Sequence, residues 1–432
     1  MTLRPSTRLI VVAAIAIVPL ATVAGFLPPL APAGFAALAL IALIAAVDAF
    51  TLTRSIARWS AAAPASLQWF QDREAALPIV LQHSAAASHN LRLHVNLPPE
   101  IEPRDKSVAF RIEGSGIAEF ACVPRRRGEF HPDTCDIEQP SALGLWYAGR
   151  TLPIHSEVRV YPDLRRERAA DLIRSHARSG AHARRQLGKG REFEKLRDYE
   201  HGDSFEDIYW KATARRQKPV VKVFQIERTQ EVYAIIDSSR LSARGDILDS
   251  YVTAALALAI TAEAQHDRFG LASFSAGIDN FIPAASGKRH FAFCRDAIYA
   301  VQPRPVTPDI EEVFSYLHTH LHKRSLIIFL TALDDPFLAD AFVNNVRVLS
   351  RRHLVLVNVP EQADVRPLFT GAMPASADEV YTRLAGHMHW TRLRELQKTL
   401  ERRGVRLAVV DPAQLPSQLA RQYIEVKQRQ LL

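Results

Sequence analysis

An uncharged stretch close to the N-terminus constrains this chain more than any other feature. No Asp, Glu, Lys or Arg occurs between Leu9 and Val47 in the 432-residue sequence. About 20 apolar residues in a helix cross a hydrocarbon core of about 30 Å, so the stretch is long enough for two crossings. Three prolines predict a turn at its middle: Pro28, Pro29 and Pro32. We therefore predict a membrane hairpin, with helices over about Leu9–Leu27 and Ala33–Phe50.

A cleaved secretory signal is the competing interpretation of this stretch. Arg4 and Arg8 would form its charged start, and residues 31–33 (Ala-Pro-Ala) resemble a small-residue cleavage site. The first apolar run is longer than a usual signal core, however, and a second apolar run follows the supposed cleavage point directly. The sequence therefore favours the hairpin.

Basic residues flank the predicted hairpin and leave its turn uncharged. Arg4 and Arg8 precede the first crossing, and Arg54 and Arg58 follow the second. Because positive residues near the ends of crossings stay in the cytoplasm, both ends are expected there. The three cysteines include no CxxC pair, as expected where thiols stay reduced. We predict a multi-pass protein of the inner membrane whose soluble domains face the cytoplasm.

The basic charge of the chain is concentrated in one segment. The net charge is +8, and nine Lys or Arg residues lie between Arg165 and Arg191 against two acids, Glu167 and Asp171. Near a membrane, such a segment meets anionic headgroups or an acidic partner, although a solvated linker explains it equally well. No zinc-finger spacing or aromatic RNA-binding pattern accompanies it, so no nucleic-acid partner is expected.

The region after the hairpin divides into a strand-rich part and an α/β part. Residues 55–88 are rich in Ala and are predicted to be helical. Residues from about 90 to 162 predict short strands of a small β-sandwich, because apolar and polar residues alternate and turn residues separate the runs. The predicted divisions are 1–54 (hairpin), 55–164 (helix and sandwich), 165–230 (basic linker and a dense motif) and 231–432 (α/β domain).

Strands alternate with helices from about residue 231 onward. The predicted strands are Glu231–Ser239, Phe269–Phe274, Leu326–Leu330, Leu354–Val359 and Val405–Val409. The predicted helices are Asp246–His266, Phe291–Val301, Ile310–His322, Phe337–Ser350, Ala377–Arg402 and a closing helix. Strands linked by helical crossovers form a doubly wound, mostly parallel sheet with helices on both faces. Ligands of such sheets bind at the carboxyl ends of the strands.

Familiar catalytic motifs are incomplete in this sequence. Gly287-Lys288 lacks the first glycine and the hydroxyl residue of a phosphate-binding loop, and residues 273–277 lack the first glycine of a nucleophile elbow. Neighbouring histidines are more often surface or packing residues than metal ligands; the sequence places such groups at His318, His320 and His322 and at His387 and His389.

A possible metal site remains at the strand ends. Asp237 and Ser239 lie where the first α/β strand runs into a loop, and Thr307 precedes a helix nearby. Carboxylate and hydroxyl oxygens are ligands that Mg²⁺ accepts. From spacing alone, however, backbone capping by these side chains is the favoured interpretation.

The segment from Gly188 to Glu227 mixes charged, aromatic and glycine residues without a helical period. It contains Gly-x-Glu-Phe-x-x-Leu-Arg-x-Tyr-x-x-Gly-Asp from residue 190 and Ile-x-Trp-Lys-Ala-Thr-Ala-Arg from residue 208. It resembles the signature of the bacterial family filed as domain of unknown function 58. The signature residues that we expect to form one structural or interaction cluster are Arg197, Asp203, Trp210, Lys211 and Arg215.

This resemblance implies the organisation of the whole chain and a partner. Members of the family commonly have two membrane helices, a strand-rich section and a von Willebrand factor A-like domain. Their genes often neighbour those of MoxR-type AAA+ ATPases. The A-like domains can hold a metal through Asp-x-Ser-x-Ser, a Thr and a further Asp, which Asp237, Ser239 and Thr307 match. Leu241 and Ala332 depart from that pattern. No firmly held cofactor is therefore expected, and Mg²⁺ should bind at millimolar concentration or more weakly, at about −4 kcal/mol or less favourably.

Three functions are consistent with the sequence. The leading hypothesis is a non-enzymatic, membrane-anchored protein-interaction module, acting as an adaptor for a MoxR-type AAA+ ATPase in complex assembly or chaperoning. A metal-dependent hydrolase is the second, although neither a general base nor a closed ligand set is evident. A purely structural envelope protein is the third. No small-molecule substrate is identified.

Overall fold

The uncharged N-terminal stretch forms two helices in the computed structural model. Helix α1 covers Thr7–Phe26 and helix α2 covers Ala31–Ile56, so α2 continues past the predicted end at Phe50. Within the described part of the chain, α2 from Pro32 to Ile56 is long and apolar enough to cross a membrane. Residues Thr7–Leu20 of α1 form a shorter apolar helix. The structure describes residues 1–26, 31–85, 88–164, 187–200, 205, 208–225, 229–362, 364–368, 370 and 376–429.

Contacts between residues divide the chain into two units, Met1–Asp163 and Leu164–Leu432. The strands of the first unit are β1 (Thr2–Pro5), β2 (Trp59–Ala62), β3 (Ser66–Phe70), β4 (Ala75–His83), β5 (Ser88–Val95), β6 (Ile101–Pro103), β7 (Val108–Glu113), β8 (Ser115–Pro124), β9 (Gly128–Phe130), β10 (Thr134–Pro140), β11 (Trp146–Pro153) and β12 (Glu157–Tyr161). Its described residues form sheets in the orders β1-β11-β10-β5-β7, β2-β4-β8-β6 and β3-β12-β9.

The prediction of a helix over residues 55–88 is wrong beyond Ile56. Strands β2, β3 and β4 occupy this region, and Leu77, Ile79 and Leu81 of β4 are fully buried in the core of the first unit. Their spacing of two matches a strand, and β4 pairs along its length with β8. The high helix propensity of alanine is a weak preference, and pairing with β8 overrides it.

The second unit contains a mostly parallel sheet. Its strands are β13 (Leu187–Asp198), β14 (Val220–Gln225), β15 (Glu231–Asp237), β16 (Arg268–Phe274), β17 (Ile278–Ala285), β18 (Ser325–Leu330), β19 (Leu354–Pro360) and β20 (Arg406–Val410). Its helices are α3 (Trp210–Arg216), α4 (Ile247–Ala264), α5 (Lys288–Ile298), α6 (Ile310–His320), α7 (Pro336–Ser350), α8 (Ala377–Glu401) and α9 (Leu415–Gln428). Among the described residues the main sheet has the order β17-β16-β15-β18-β19-β20, and β13 and β14 form a separate antiparallel pair.

Strand β17 was not predicted from the sequence. It pairs antiparallel with β16 at the edge of the sheet, whereas the pairs among β16, β15, β18, β19 and β20 are parallel. Only part of β17 is buried, because an edge strand is covered less than a central one. Its sequence therefore lacks the continuous apolar run that identified the central strands.

Helices pack on both faces of the main sheet. One apolar core joins the sheet to α4, α5 and α9, and a second core joins it to α6, α7 and α8. The neighbouring strands β15 and β18 lie between the two cores, and every residue of β18 is buried. Because these strands are parallel, their carboxyl ends meet at one edge, where Asp237 and Thr331 follow the apolar runs.

Candidate functional site

Asp237 is the most constrained of the predicted site residues. Its side chain is completely buried at the end of β15. Its Oδ1 accepts a hydrogen bond from the backbone N–H of Ser239 at 2.9 Å, and its Oδ2 accepts one from the Thr331 hydroxyl at 2.6 Å. Burial raises the pKa of Asp237, and the hydrogen bonds from Ser239 and Thr331 oppose that rise. Asp237 therefore links the loops after two neighbouring strands.

Ser239 and Thr307 both form local hydrogen bonds. The Ser239 hydroxyl accepts from the backbone N–H of Leu241 at 3.3 Å and caps the short 3₁₀ helix Arg240–Ser242. The Thr307 hydroxyl accepts from Nε of Arg240 at 3.0 Å. Ser239 therefore caps a helix, and Thr307 links its loop to Arg240. The described hydrogen bonds do not join Thr307 directly to Asp237, so the structure places the three residues at one edge without bringing them into a ligand set.

Two arginines of the first loop pair with the acidic residues that follow β18. Nη2 of Arg240 lies 3.0 Å from Oδ2 of Asp335, and Nη1 of Arg244 lies 2.9 Å from Oδ2 of Asp334. Arg240 thus connects three loops. It belongs to the loop after β15, and its side chain contacts Thr307 in a second loop and Asp335 in a third. Neither arginine is identifiable from sequence spacing, because their partners are 67 to 95 positions away in the chain.

Asp334 lies in a loop that folds back toward the sheet. Its Oδ2 also accepts a hydrogen bond from Gln362 Nε2 at 2.5 Å, and its Oδ1 lies 3.4 Å from Nε2 of His389 on α8. The hydroxyl of Tyr251 on α4 is buried and has no hydrogen-bond partner among the described residues. Burial first, and then the charges of Asp237 and Asp334, raise the pKa of Tyr251. Both carboxylates therefore act on the same buried hydroxyl.

The donor set at this edge fits a divalent cation poorly. Leu241 supplies no ligand, and Ala332 is buried where a further carboxylate would be needed. Two further carboxylates in these loops, Asp334 and Asp335, are already paired with guanidinium groups. The described residues contain no group of three His, Cys, Asp or Glu side chains arranged to hold a metal ion. Weak Mg²⁺ binding therefore stays a prediction.

Replacing Asp237 by Asn is expected to stabilise the folded protein at neutral pH. Because the folded-state pKa of Asp237 is raised, its ionisation favours the unfolded state, whose pKa is about 4. Wild-type stability should therefore fall as the pH rises from about 4 through the folded-state pKa, whereas Asp237→Asn removes that loss. An amide can still accept from Ser239 and donate to the Thr331 hydroxyl.

Thermal unfolding of both proteins between pH 4 and pH 8 measures this effect. The advantage of Asp237→Asn should be largest at high pH and should shrink toward pH 4. A variant that is less stable than the wild type at pH 7 would show that the hydrogen bonds to the carboxylate outweigh its burial.

The described signature residues lie on the surface of the second unit. Trp210 begins α3 and is 68% exposed, and Lys211 and Arg215 on the same helix are also exposed. Arg197 is the penultimate residue of β13 and lies close to Glu200, with 3.4 Å between Nη1 and Oε2. Asp203 lies outside the described residues. The structure therefore gives Trp210 an exposed position, and a cluster buried around it is not found among the described members.

Part of the chain matches a known family. Residues 195–403 match the family model described as protein of unknown function DUF58. No curated relative matches the sequence.

Three solved structures are similar to the chain at 11% identity. The conserved hypothetical protein BatB from Bacteroides thetaiotaomicron has a TM-score of 0.29 over 46% of this chain and 99% of that chain. An aerotolerance-related membrane protein from Bacteroides fragilis has a TM-score of 0.27 with the same coverage. Proximal thread matrix protein 1 from the mussel byssus has a TM-score of 0.28 over 46% of each chain. These scores are too low to support a conclusion. The family match covers just under half of the chain and includes all five signature residues.

Proposed function

We propose that this chain is a non-enzymatic, membrane-anchored protein-interaction module that serves as an adaptor for a MoxR-type AAA+ ATPase in complex assembly or chaperoning. The exposure of Trp210 is the observation that carries the proposal. A tryptophan that is 68% exposed leaves a large apolar surface in water, and such residues are enriched where a partner binds. The choice of a MoxR-type partner rests on the family resemblance of the signature segment.

The charge around Trp210 supports a protein partner with an acidic surface. Lys211 and Arg215 are exposed on the same short helix, and Arg197 lies on the strand β13 of the same unit. An exposed aromatic residue on a helix that also carries exposed basic side chains is electrostatically suited to a partner with an acidic surface. Helix α3 is itself fixed to β14, because the Thr213 hydroxyl accepts from the backbone N–H of Val220 at 3.1 Å.

The anchoring part of the proposal rests on the first unit. Helices α1 and α2 cross the inner membrane as a hairpin, and both soluble parts face the cytoplasm. Apolar composition, helix length and the basic residues flanking the hairpin support this arrangement. Helix α4 is also long and apolar enough to cross a membrane, but most of it is buried in the core of the second unit.

The fold part of the proposal concerns the second unit, which we assign to the von Willebrand factor A-like type. Support comes from its mostly parallel sheet and from the polar loop that follows β15. Such domains bind proteins at the carboxyl edge of the sheet, where Asp237 lies. Arg240 and Arg244 neutralise Asp335 and Asp334 at this edge, so a partner would need no metal there.

Replacing Trp210 by Ala tests the interaction. Because Trp210 is exposed, the free energy of unfolding should change by less than about 0.5 kcal/mol. Affinity purification of the full chain from membranes, followed by mass spectrometry, should recover the ATPase with the wild type and lose most of it with Trp210→Ala. Tyr381→Ala is the matched control, because Tyr381 is an exposed aromatic residue of α8 outside the signature.

Two outcomes would contradict this proposal. Equal recovery of the ATPase with Trp210→Ala and with the wild type would remove Trp210 from the interface. A large loss of thermal stability in Trp210→Ala would show that the side chain packs against protein and that reduced recovery reflects unfolding.

A further inference from the structure

The turn between β10 and β11, residues 141–146, is tightly built and apolar at its tip. The backbone N–H of Ser141 donates to the Trp146 carbonyl at 2.8 Å, and the Ser141 hydroxyl accepts from the Trp146 N–H at 3.0 Å. Gly144 has a φ of +71°, which allows the chain to reverse. Leu143 at the tip is 54% exposed. The turn therefore holds an apolar side chain outward in a fixed conformation.

This turn binds both N-terminal helices. The indole N–H of Trp146 donates to the Ala45 carbonyl at 2.9 Å, and the Leu143 N–H donates to Oδ1 of Asp48 at 3.2 Å. Ser6, which precedes α1, donates through its hydroxyl to the Gly144 carbonyl at 2.6 Å. Asp48, an acidic residue at the end of the predicted second crossing, is thus buried against this turn.

The length of α2 places these contacts at membrane depth. Ala45 and Asp48 lie about 21 Å and 26 Å along the helix from Ala31, at 1.5 Å per residue. A crossing needs about 30 Å of helix. If α2 crosses the membrane, residues 45 and 48 lie within or at the border of the hydrocarbon, and the turn that binds them lies there too.

The surface on the α2 side of the turn is mostly apolar. A pocket of about 280 Å³ lies between α2 and the turn and is lined by Leu43, Ile44, Val47, Asp48, Thr51 and Leu143. Leu43 and Val47 are exposed on α2 and continue the face that Leu143 presents. Asp48 and Thr51 form the polar part of the pocket lining. The exposed Arg8 side chain lies beside Gly144 on another side of the turn.

We propose that the 141–146 turn dips into the membrane and that this pocket receives the acyl chain of a lipid. The inference rests on the membrane crossing of the proposed function. Continuity with the exposed apolar face of α2 favours lipid over a protein occupant, because both surfaces then meet the same hydrocarbon. The first unit consequently contacts the bilayer surface directly through this turn.

Site-directed spin labelling of the full chain in lipid nanodiscs tests the proposal. The cysteines Cys122, Cys135 and Cys294 are buried, and burial raises the pKa of each thiol to about 12, so they should not compete for the label. Leu143→Cys introduces the test position, and Ala142→Cys provides a second exposed position in the same turn.

Two further positions calibrate the measurement. Leu40→Cys lies on α2 and is 57% exposed, and it reports whether that helix is in lipid. Arg126→Cys lies in the exposed Arg-rich turn between β8 and β9 and reports water. We expect labels at 142 and 143 to collide with dissolved oxygen several-fold more often than with a water-soluble nickel chelate. The label at 40 should behave in the same way, and the label at 126 should collide more often with the nickel chelate.

Each other result would overturn the proposal in a distinguishable way. Lipid exposure at 40 with water exposure at 142 and 143 would leave the crossing intact and reject the membrane-inserted turn. Water exposure at 40 would reject the crossing itself. Protection of 143 from both reagents, with spin–spin broadening between copies, would show that a second copy of the chain covers the pocket.

Discussion

Replacing Asp267 by Ala is expected to lower the free energy of unfolding by about 3–5 kcal/mol, because it breaks a buried ion pair from one side. Asp267 is buried where α4 turns into β16. Its carboxylate accepts from Nζ of Lys427 at 2.8 Å, from the backbone N–H of Gln230 at 3.0 Å, and from the Tyr423 hydroxyl. Burial, followed by the neighbouring Asp267, raises the pKa of Tyr423, so its hydroxyl stays protonated and donates. Without the carboxylate, these donors lose their acceptor inside the protein.

Chemical denaturation of the full chain in detergent measures this loss. Glu425→Gln is the matched control, because Glu425 pairs with Arg406 and Arg429 on the surface and exposed pairs contribute about 0–1 kcal/mol. A loss below about 1 kcal/mol for Asp267→Ala would mean that water replaces the carboxylate and that α9 is not fixed at this point.

Replacing Phe329 by Ala should destabilise the second unit by about 3–5 kcal/mol. Phe329 is the penultimate residue of β18, and its ring is 5.2 Å from that of Phe314 on α6 and 5.3 Å from that of Phe342 on α7. All three side chains are buried. The substitution leaves a cavity between the sheet and two helices, which close packing prevents from collapsing fully.

Phe337→Ala is the matched control, because it makes the same substitution at an exposed position. Phe337 lies on α7 like Phe342, but it is 86% exposed, so its truncation should cost about 0.5 kcal/mol or less. Equal destabilisation by Phe329→Ala and Phe337→Ala, measured by the same denaturation, would contradict the placement of the second apolar core.

The central strands of the α/β region were predictable because they are buried on both faces. Strands buried on both faces require continuous apolar runs, and β15 and β18 have them. The same runs end in polar residues, which is why Asp237 was recognised at a strand end. The strands β2 and β4 were not recognised, because their alanines suit a helix equally well and only the pairing of strands decides between the two.

The contacts of the candidate site could not be derived from spacing. Arg240 has no sequence relation to Asp335, and Asp334 reaches His389 only because the loop after β18 folds toward α8. Such pairs depend on how loops from separate strands meet, which the periodicity of any one segment does not encode. The Tyr251 hydroxyl, which has no hydrogen-bond partner in the described part of the chain, is a further example, since a tyrosine in an apolar helix predicts only burial.

Helix α4 has a consequence for the synthesis of the protein. It is apolar enough to pass for a membrane span, and its partners in the folded core include Leu419, Tyr423 and Val426 of α9, which are synthesised long after it. Until α9 is made, part of α4 stays uncovered, in a chain whose hairpin would already engage the membrane-insertion machinery. Chains truncated before α9 would therefore be candidates for misinsertion or for capture by chaperones, so the docking of α9 on α4 is a late step in burying this apolar surface.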